Sequence, residues 1–251
     1  MINPMNLSGK TILITGASDG IGKATAILAS QLGASIVMVA RSEEKLQHAM
    51  NELEGNNHSW YSYNLKEIEG IEKFVKRIID ANGPLDGFVH CAGISGMRPL
   101  KMTNYNFLHE IMLVNFYSFV ELCRCISKKG NYLKNMSIIG MSSISSITGY
   151  KSKTAYCASK AAMDGAIRAM AKECGNNKIR INSIKAGFVR TKMFERHKEK
   201  SGKYDNNDDF DDYYLGIGEP IDVANAIVFL LSDCSRIITG TGWVIDSGVT
   251  A

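Results

Sequence analysis

Short runs of β-branched and aliphatic residues alternate with longer stretches of helical periodicity along almost the whole chain of 251 residues. Strands are expected over 11–15, 35–40, 60–63, 88–91, 136–141, 180–185 and 243–245. Helices are expected over 21–31, 45–53, 68–81, 107–128, 154–174 and 223–231. The first helix shows the spacing directly, with Ile21, Ala24, Ile27, Leu28 and Leu32 on one face. Ser42 is placed to cap the second. The strands are apolar at nearly every position, so both their faces are buried, which calls for a parallel sheet between two layers of helices. Right-handed crossovers then give an α/β, doubly wound sheet of about seven strands. Such sheets bind ligands beyond the carboxyl ends of their strands.

Length and composition fit one domain spanning residues 1–251. Hydrophobic residues make up 45% and charged residues 22%, enough to bury a core without disulfides or metal. The net charge of +4 is mild. Basic clusters such as Arg196-His197-Lys198 read as a solvated face, so no nucleic-acid partner is expected. The six cysteines form no C-x-x-C pair and no zinc spacing, and no metal is expected. Neither a signal-like apolar run in residues 1–10 nor a stretch of membrane-spanning length is present. Reduced thiols, a cytoplasmic location and no membrane partner follow as expectations. Residues 192–218 show no clear periodicity but carry several aspartates with Phe210, Tyr213 and Tyr214. A long irregular segment after the sixth strand is expected to act as a substrate lid.

The first strand runs into Thr15-Gly16-Ala17-Ser18-Asp19-Gly20-Ile21-Gly22. Gly16 permits a tight turn, Gly20 clears space for a pyrophosphate, and Gly22 lets helix and strand pack closely. The helix start offers unpaired N–H groups and partial positive charge to phosphates. Residues Gly16, Ser18, Asp19, Gly20, Ile21 and Gly22 are thus candidate dinucleotide contacts on a Rossmann-type sheet. The second strand ends Val39-Ala40-Arg41-Ser42. No carboxylate stands there to accept ribose hydroxyls, whereas Arg41 and Ser42 suit a 2′-phosphate. NADP is therefore expected over NAD, which remains possible. Charge-assisted contacts are worth about 1.5–3 kcal/mol.

Tyr156 and Lys160 are four apart at the start of the helix after the fifth strand, so they share a face. An ammonium there favours the phenolate. Lowering a tyrosine from ~10 to about 7 takes roughly 4 kcal/mol. Ser143 lies at the crevice end of the fifth strand, where a hydroxyl can meet a carbonyl oxygen. Asn115 sits in the long preceding helix, where a polar amide needs partners.

Together these residues resemble the Asn-Ser-Tyr-Lys tetrad of the short-chain dehydrogenase/reductase family. The glycine pattern resembles that family's opening motif. His90-Cys91-Ala92-Gly93 stands where the family usually has Asn-Asn-Ala-Gly. Asn182-Ser183-Ile184-Lys185-Ala186-Gly187 stands where proline usually precedes the last glycine. Thr239-Gly240 through Val244-Ile245-Asp246-Ser247-Gly248 completes a likeness covering nearly the whole chain.

The resemblance implies roles. Tyr156 would be general acid in reduction and base in oxidation. Lys160 would lower its pKa and bond the nicotinamide ribose, Ser143 would steady the oxyanion, and Asn115 would hold a proton-relaying water. Thr191 would bind the carboxamide, Asn64 and Leu65 would flank the adenine, and Cys91, Ala92, Gly93, Gly187 and Val189 would line the cofactor. Asp19 runs against the NADP expectation, because many NADP-using members carry a basic residue there. His90, Cys91 and Ala186 depart from the usual pattern near the cofactor.

The expected activity is hydride transfer between nicotinamide and a ketone or secondary alcohol, in the reductive direction. 3-Oxoacyl-carrier-protein reduction is one candidate, although an acidic lid disfavours an acidic carrier. The alternative is a non-catalytic dinucleotide sensor or scaffold on the same fold. Ser95, Met97, Phe188, Met193 and Phe194 are candidate substrate contacts. The resemblance also implies a homotetramer or homodimer packed through the helices at 107–128 and 154–174.

Overall fold

The computed structural model describes residues 3–201 and 210–251. Its seven strands are β1 (Thr11–Thr15), β2 (Ser35–Ala40), β3 (Ser59–Ser62), β4 (Leu85–His90), β5 (Tyr132–Ser143), β6 (Arg180–Ala186) and β7 (Gly242–Ile245). All pair in parallel, in the order β3-β2-β1-β4-β5-β6-β7. The chain winds outward from β1 to β3 and then returns to pair β4 on the other side of β1. Beyond the carboxyl ends of β1 and β4 the flanking loops part, which opens the ligand crevice of such a sheet.

Side chains alternate across the sheet, and the core follows. Ile12, Ile14, Ile36, Val89, Ile139 and Ile184 face one helical layer, while Leu13, Phe88, Ile138 and Ile181 face the other. The first layer holds α1 (Gly20–Gln31), α2 (Glu43–Met50) and α8 (Pro220–Leu231). Pro220 at the first turn of α8 and a reciprocal Glu219–Asp222 capping box fix where that helix begins. The second layer holds α3 (Ile71–Asn82), α4 (Tyr105–Met112), α5 (Ser118–Ile126) and α6 (Thr154–Cys174). Phe119 and Met163 of this layer are fully buried, each worth roughly 1.5–3 kcal/mol.

Two details position the site. A Cβ on Gly140 of β5 would come within 3.0 Å of Met163 Sδ and 3.1 Å of Ile167. The missing side chain lets α6 lie close on the strand, so its first turns sit over the strand's end. The expected helix at 107–128 is not one regular helix. Leu113–Tyr117 forms a π-helical turn between α4 and α5, and such turns re-aim side chains within a helix. Asn115 lies inside it.

The expectation of an irregular segment over 192–218 also needs correction. Lys192–Ser201 forms a helix, α7. Thr191 Oγ1 accepts from Phe194 N at 3.3 Å and starts it. Among its described side chains Phe194 is buried and His197 half-buried, too few to stand out among its charges. Asp205, Asp208 and Asp209 of the expected lid lie outside the described residues.

Candidate active site

The glycine turn is defined by backbone contact. Gly16 has φ of 70°, and a Cβ there would stand 2.7 Å from Ala92 N. A Cβ on Gly22 would stand 2.3 Å from Gly16 O. Helix α1 therefore meets the end of β1 with no room for a side chain. Gly20 has φ of 54°, and its nearest neighbour is Thr191 Cγ2, 3.1 Å from a built Cβ. These features leave the amino end of α1 open to the crevice.

Asp19 caps α1 by accepting from Gly20 N at 2.9 Å. Its carboxylate also meets Lys192 Nζ at 3.0 Å and Lys45 Nζ at 3.9 Å. Burial pushes this carboxyl up, but Lys192, Gly20 N–H and Lys45 outweigh it and hold it below its ordinary value. The acid that seemed misplaced beside a phosphate thus ties α2 and α7 to the cradle. Arg41 lines the crevice, and Ser42 Oγ accepts from Lys45 N as the cap of α2. Asn64 and Leu65 line the same end.

Cys91, Ala92 and Gly93 form the floor after β4. His90 beneath them is fully buried, with Nδ1 3.0 Å from Thr15 Oγ1, and Ala92 N donates to that same hydroxyl at 3.4 Å. Burial, then the Lys160 charge, push His90 down to about 3, so its ring is neutral. Burial pushes the Cys91 thiol up to about 12 and keeps it protonated. On the far wall, a Cβ on Gly187 would stand 2.9 Å from Asp246 Cα. Val189 and Thr191 follow along the crevice.

The four residues of the reacting constellation meet at the centre. Ser143 Oγ accepts from Ser145 N at 3.1 Å and hydrogen-bonds Tyr156. Burial pushes Tyr156 up to about 12, and the Ser143 hydrogen bond works in the opposite direction. The phenol is therefore protonated, the state a proton donor needs. Lys160 Nζ donates to Met141 O at 2.6 Å and lies 5.7 Å from the Tyr156 ring centroid. Burial pulls this lysine down to about 8. Its ammonium reaches toward Gly93, where a built Cβ would be 3.6 Å away.

Asn115 is fully buried. It donates to Ile94 O at 3.0 Å and to Ser159 Oγ at 3.0 Å, and accepts from Ile94 N at 2.8 Å. Both its amide hydrogens are thereby engaged, and the residue braces the loop after β4 against α6. Ser159 completes the brace by donating to Tyr156 O at 2.8 Å. Sequence reasoning missed Ser159, although its place three residues after Tyr156 puts it on an adjacent helical position.

The crevice has a volume of about 700 Å³. Besides the expected Ser95, Met97, Phe188, Met193 and Phe194, it is lined by Tyr150, Lys151, Lys153, Arg196, His197 and Tyr213. Phe188 stacks on Tyr213 at 5.6 Å between ring centroids and meets Phe194 at 5.4 Å. Arg41, Lys45, Lys66, Lys151, Lys153, Lys160, Lys192 and Arg196 all line it, and Lys45 and Lys192 meet at the Asp19 carboxylate. Asp19 is the sole carboxylate lining it among the described residues. Glu72, Glu121 and Cys125 cluster elsewhere, on α3 and α5, where Arg124 and Lys128 already engage the two glutamates.

A nicotinamide dinucleotide fits these observations: the side-chain-free cradle, the open helix end and the cationic lining all suit its phosphates. Comparison with known proteins agrees. The family model described as "Enoyl-(Acyl carrier protein) reductase" matches residues 16–250. The chain is 33% identical over 248 residues to the 3-oxoacyl-[acyl-carrier-protein] reductase FabG of Thermotoga maritima, covering 98% of this chain and 99% of that one. It is 30% identical over 241 residues to the mouse 3-oxoacyl-[acyl-carrier-protein] reductase, covering 96% and 98%. A short-chain type dehydrogenase/reductase structure from Mycobacterium marinum superposes with a TM-score of 0.89 at 27% identity, covering 99% and 98%.

Proposed function

Because the chain belongs to the short-chain dehydrogenase/reductase family and is an NAD(P)-dependent oxidoreductase acting on carbonyl or CH–OH groups, we propose that it reduces a ketone to a secondary alcohol with NADPH. The observation that carries this reading is the meeting of Ser143, a protonated Tyr156 and Lys160 beside a dinucleotide-shaped cradle. When bound, the cofactor supplies the hydride.

Each residue then has a task. The main chain at Gly16, Ser18, Gly20, Ile21 and Gly22 receives the pyrophosphate. Arg41 and Ser42 take the 2′-phosphate, with Asp19 neutralised by its two lysines. Asn64 and Leu65 flank the adenine. Cys91, Ala92, Gly93, Gly187, Val189 and Thr191 confine the nicotinamide half. Ser143 donates to the carbonyl oxygen as negative charge develops on it, and Tyr156 delivers the proton. Lys160, pulled down to about 8 by burial and so mostly charged at neutral pH, favours the tyrosinate left behind. Asn115 keeps the loop after β4 and the first turns of α6 in register, with any relayed proton passing near it.

The 3-oxoacyl carrier-protein substrate in the relatives' names is a candidate here. We place the protein in the cytoplasm, as one domain over 1–251 with residues 192–218 as lid. No helix among the described residues is long and apolar enough to cross a membrane. We expect a homotetramer or homodimer, for which the exposed Tyr105, Leu108 and Tyr117 along α4 and the following turn supply an apolar face. No observation favours a non-catalytic sensor. The test is a panel of ketones assayed with NADPH and with NADH. NADPH-dependent consumption by at least one ketone is expected, and no turnover of any carbonyl or alcohol with either cofactor would contradict the reading.

A further inference from the structure

Beneath the first turns of α6 lies a buried group of charges that extends beyond the four reacting residues. Asp164 follows Lys160 by four residues, so the two share a face of α6. Side chains on a helix lean toward its amino end, which tips the Asp164 carboxylate toward the Lys160 ammonium. Both residues are buried. Asp164 Oδ1 accepts from Ser183 Oγ of β6 at 2.8 Å, and Lys185 of the same strand brings its ammonium to 3.6 Å from Oδ2. Gly242 of β7 makes room for this arrangement, since a Cβ there would stand 2.6 Å from Lys185 Nζ and 2.8 Å from Ser183 Oγ. Among the described residues no group donates a hydrogen bond to Asp164 Oδ2. The negative charge is thus not spent on one close pair, and its field reaches the lysine one turn away.

We propose that Asp164 is a positioning residue for the reduction: its carboxylate holds the Lys160 side chain as an ammonium beside the reacting phenol, and Lys185 weakens that hold by drawing on the same carboxylate. This rests on the oxidoreductase reading above and adds a residue to its machinery. The other titratable groups that face Lys160 supply no negative charge. His90 of β4 is a neutral ring, the Cys91 thiol stays protonated up to about 12, and Tyr156 is itself protonated. From β5 the lysine meets the Met141 carbonyl, and the π-helical turn brings the uncharged Asn115 amide to the same loop. Of α4, which packs on α6, His109 stacks on Tyr105 and Glu110 is held by Lys66. Burial pulls Lys160 down to about 8, and with the Cys91 thiol uncharged, Asp164 is the anion that opposes the pull. When Tyr156 gives up its proton, the ammonium kept by Asp164 stabilises the tyrosinate, and no bond of Asp164 changes. Reduction needs Lys160 charged, so its rate falls as pH rises through the lysine's titration. Without Asp164 that fall comes at lower pH.

The experiment follows two readouts against pH. One is kcat/KM for NADPH-dependent reduction of the best ketone of the panel. The other is the Lys160 signal in NMR of isotope-labelled lysine side chains, identified by its loss in Lys160→Met. In the wild type the rate should fall, and the lysine signal titrate, at about 8. In Asp164→Asn, which can still accept from Ser183, both midpoints should move down by about one pH unit or more, the effect of an opposite charge at close range. Asp164→Glu should bring them back to within about half a unit of the wild type. In Lys185→Met both should move up by about half a unit, because the carboxylate then acts on Lys160 alone. A residue that only pins α6 to β6 would lower the rate and leave both midpoints in place. That result overturns the proposal, as does a move in the same direction in Asp164→Asn and Lys185→Met. Should Asp164→Asn fold poorly, the upward move in Lys185→Met decides alone. Absence of turnover with every ketone contradicts the oxidoreductase reading instead, and the NMR midpoints still decide whether Asp164 holds the charge of Lys160.

Discussion

The two ends of the crevice are built differently. The cofactor end is made by backbone: Gly16 against Ala92, Gly22 against Gly16, Gly187 against Asp246. The substrate end is made by long side chains, among them Lys153, Phe188, Phe194, His197 and Tyr213. Backbone contacts at such distances admit almost no substitution. Aromatic and charged side chains can be exchanged while the fold survives. One end therefore fixes what the fold must bind, and the other leaves room for substrates to differ.

That contrast can be tested by paired substitutions. Gly22→Ala places a Cβ against Gly16 O, and forced overpacking costs about 1–3 kcal/mol. It should lower thermal stability measurably and weaken NADPH binding at least tenfold in a fluorescence titration. Met193→Ala at the other end removes a side chain that is 38% exposed, and should stay within about 0.5 kcal/mol. Equal tolerance at both positions would dissolve the distinction.

A second test concerns the layer beneath the cradle. The folded-state value of His90, about 3, lies below the ordinary 6.5. Between those values the unfolded chain holds the extra proton, so stability falls as pH drops through this window and is unaffected above it. By pH 5 the loss amounts to about 2 kcal/mol. Urea titrations at pH 7 and pH 5 should show a smaller acid loss in His90→Asn by about that amount. An unchanged loss would mean the ring is not held neutral.

The smallest expected effect is at the adenosine end. Arg41→Ala should lower the NADPH-to-NADH ratio of kcat/KM about tenfold, consistent with one charge-assisted contact. If the ratio is unmoved, the 2′-phosphate is held elsewhere, with Lys45 of the crevice lining an alternative cation.

The same contrast explains what the sequence revealed. The strand pattern was legible because burial on both faces leaves continuous apolar runs, as in Ile12, Leu13 and Ile14. Gly16, Gly20 and Gly22 were legible because close backbone approach permits only one residue type. Tyr156 and Lys160 stood out through helical spacing. Three things were hidden. The π-helical turn at Leu113–Tyr117 depends on how the α4–α5 helix packs, and nothing in its residues announces it. The helix α7 was masked by its charges, since Lys192, Glu195, Arg196 and Lys198 outnumber its inward residues. Asp19 looked wrong for an anionic ligand until Lys45 and Lys192 arrived beside it from distant parts of the chain. Lys153 was passed over because a lysine before a helix is usually a solvated residue.

The most direct measurement is on Tyr156→Phe, which keeps the ring and removes the hydroxyl. The NADPH dissociation constant should stay within about threefold of the wild type. The value of kcat should fall by roughly 10²–10⁴-fold, the usual contribution of a positioned proton donor. A variant that binds NADPH normally and reduces its ketone at near wild-type kcat would show that the proton comes from another group, and the assignment of this site would fail.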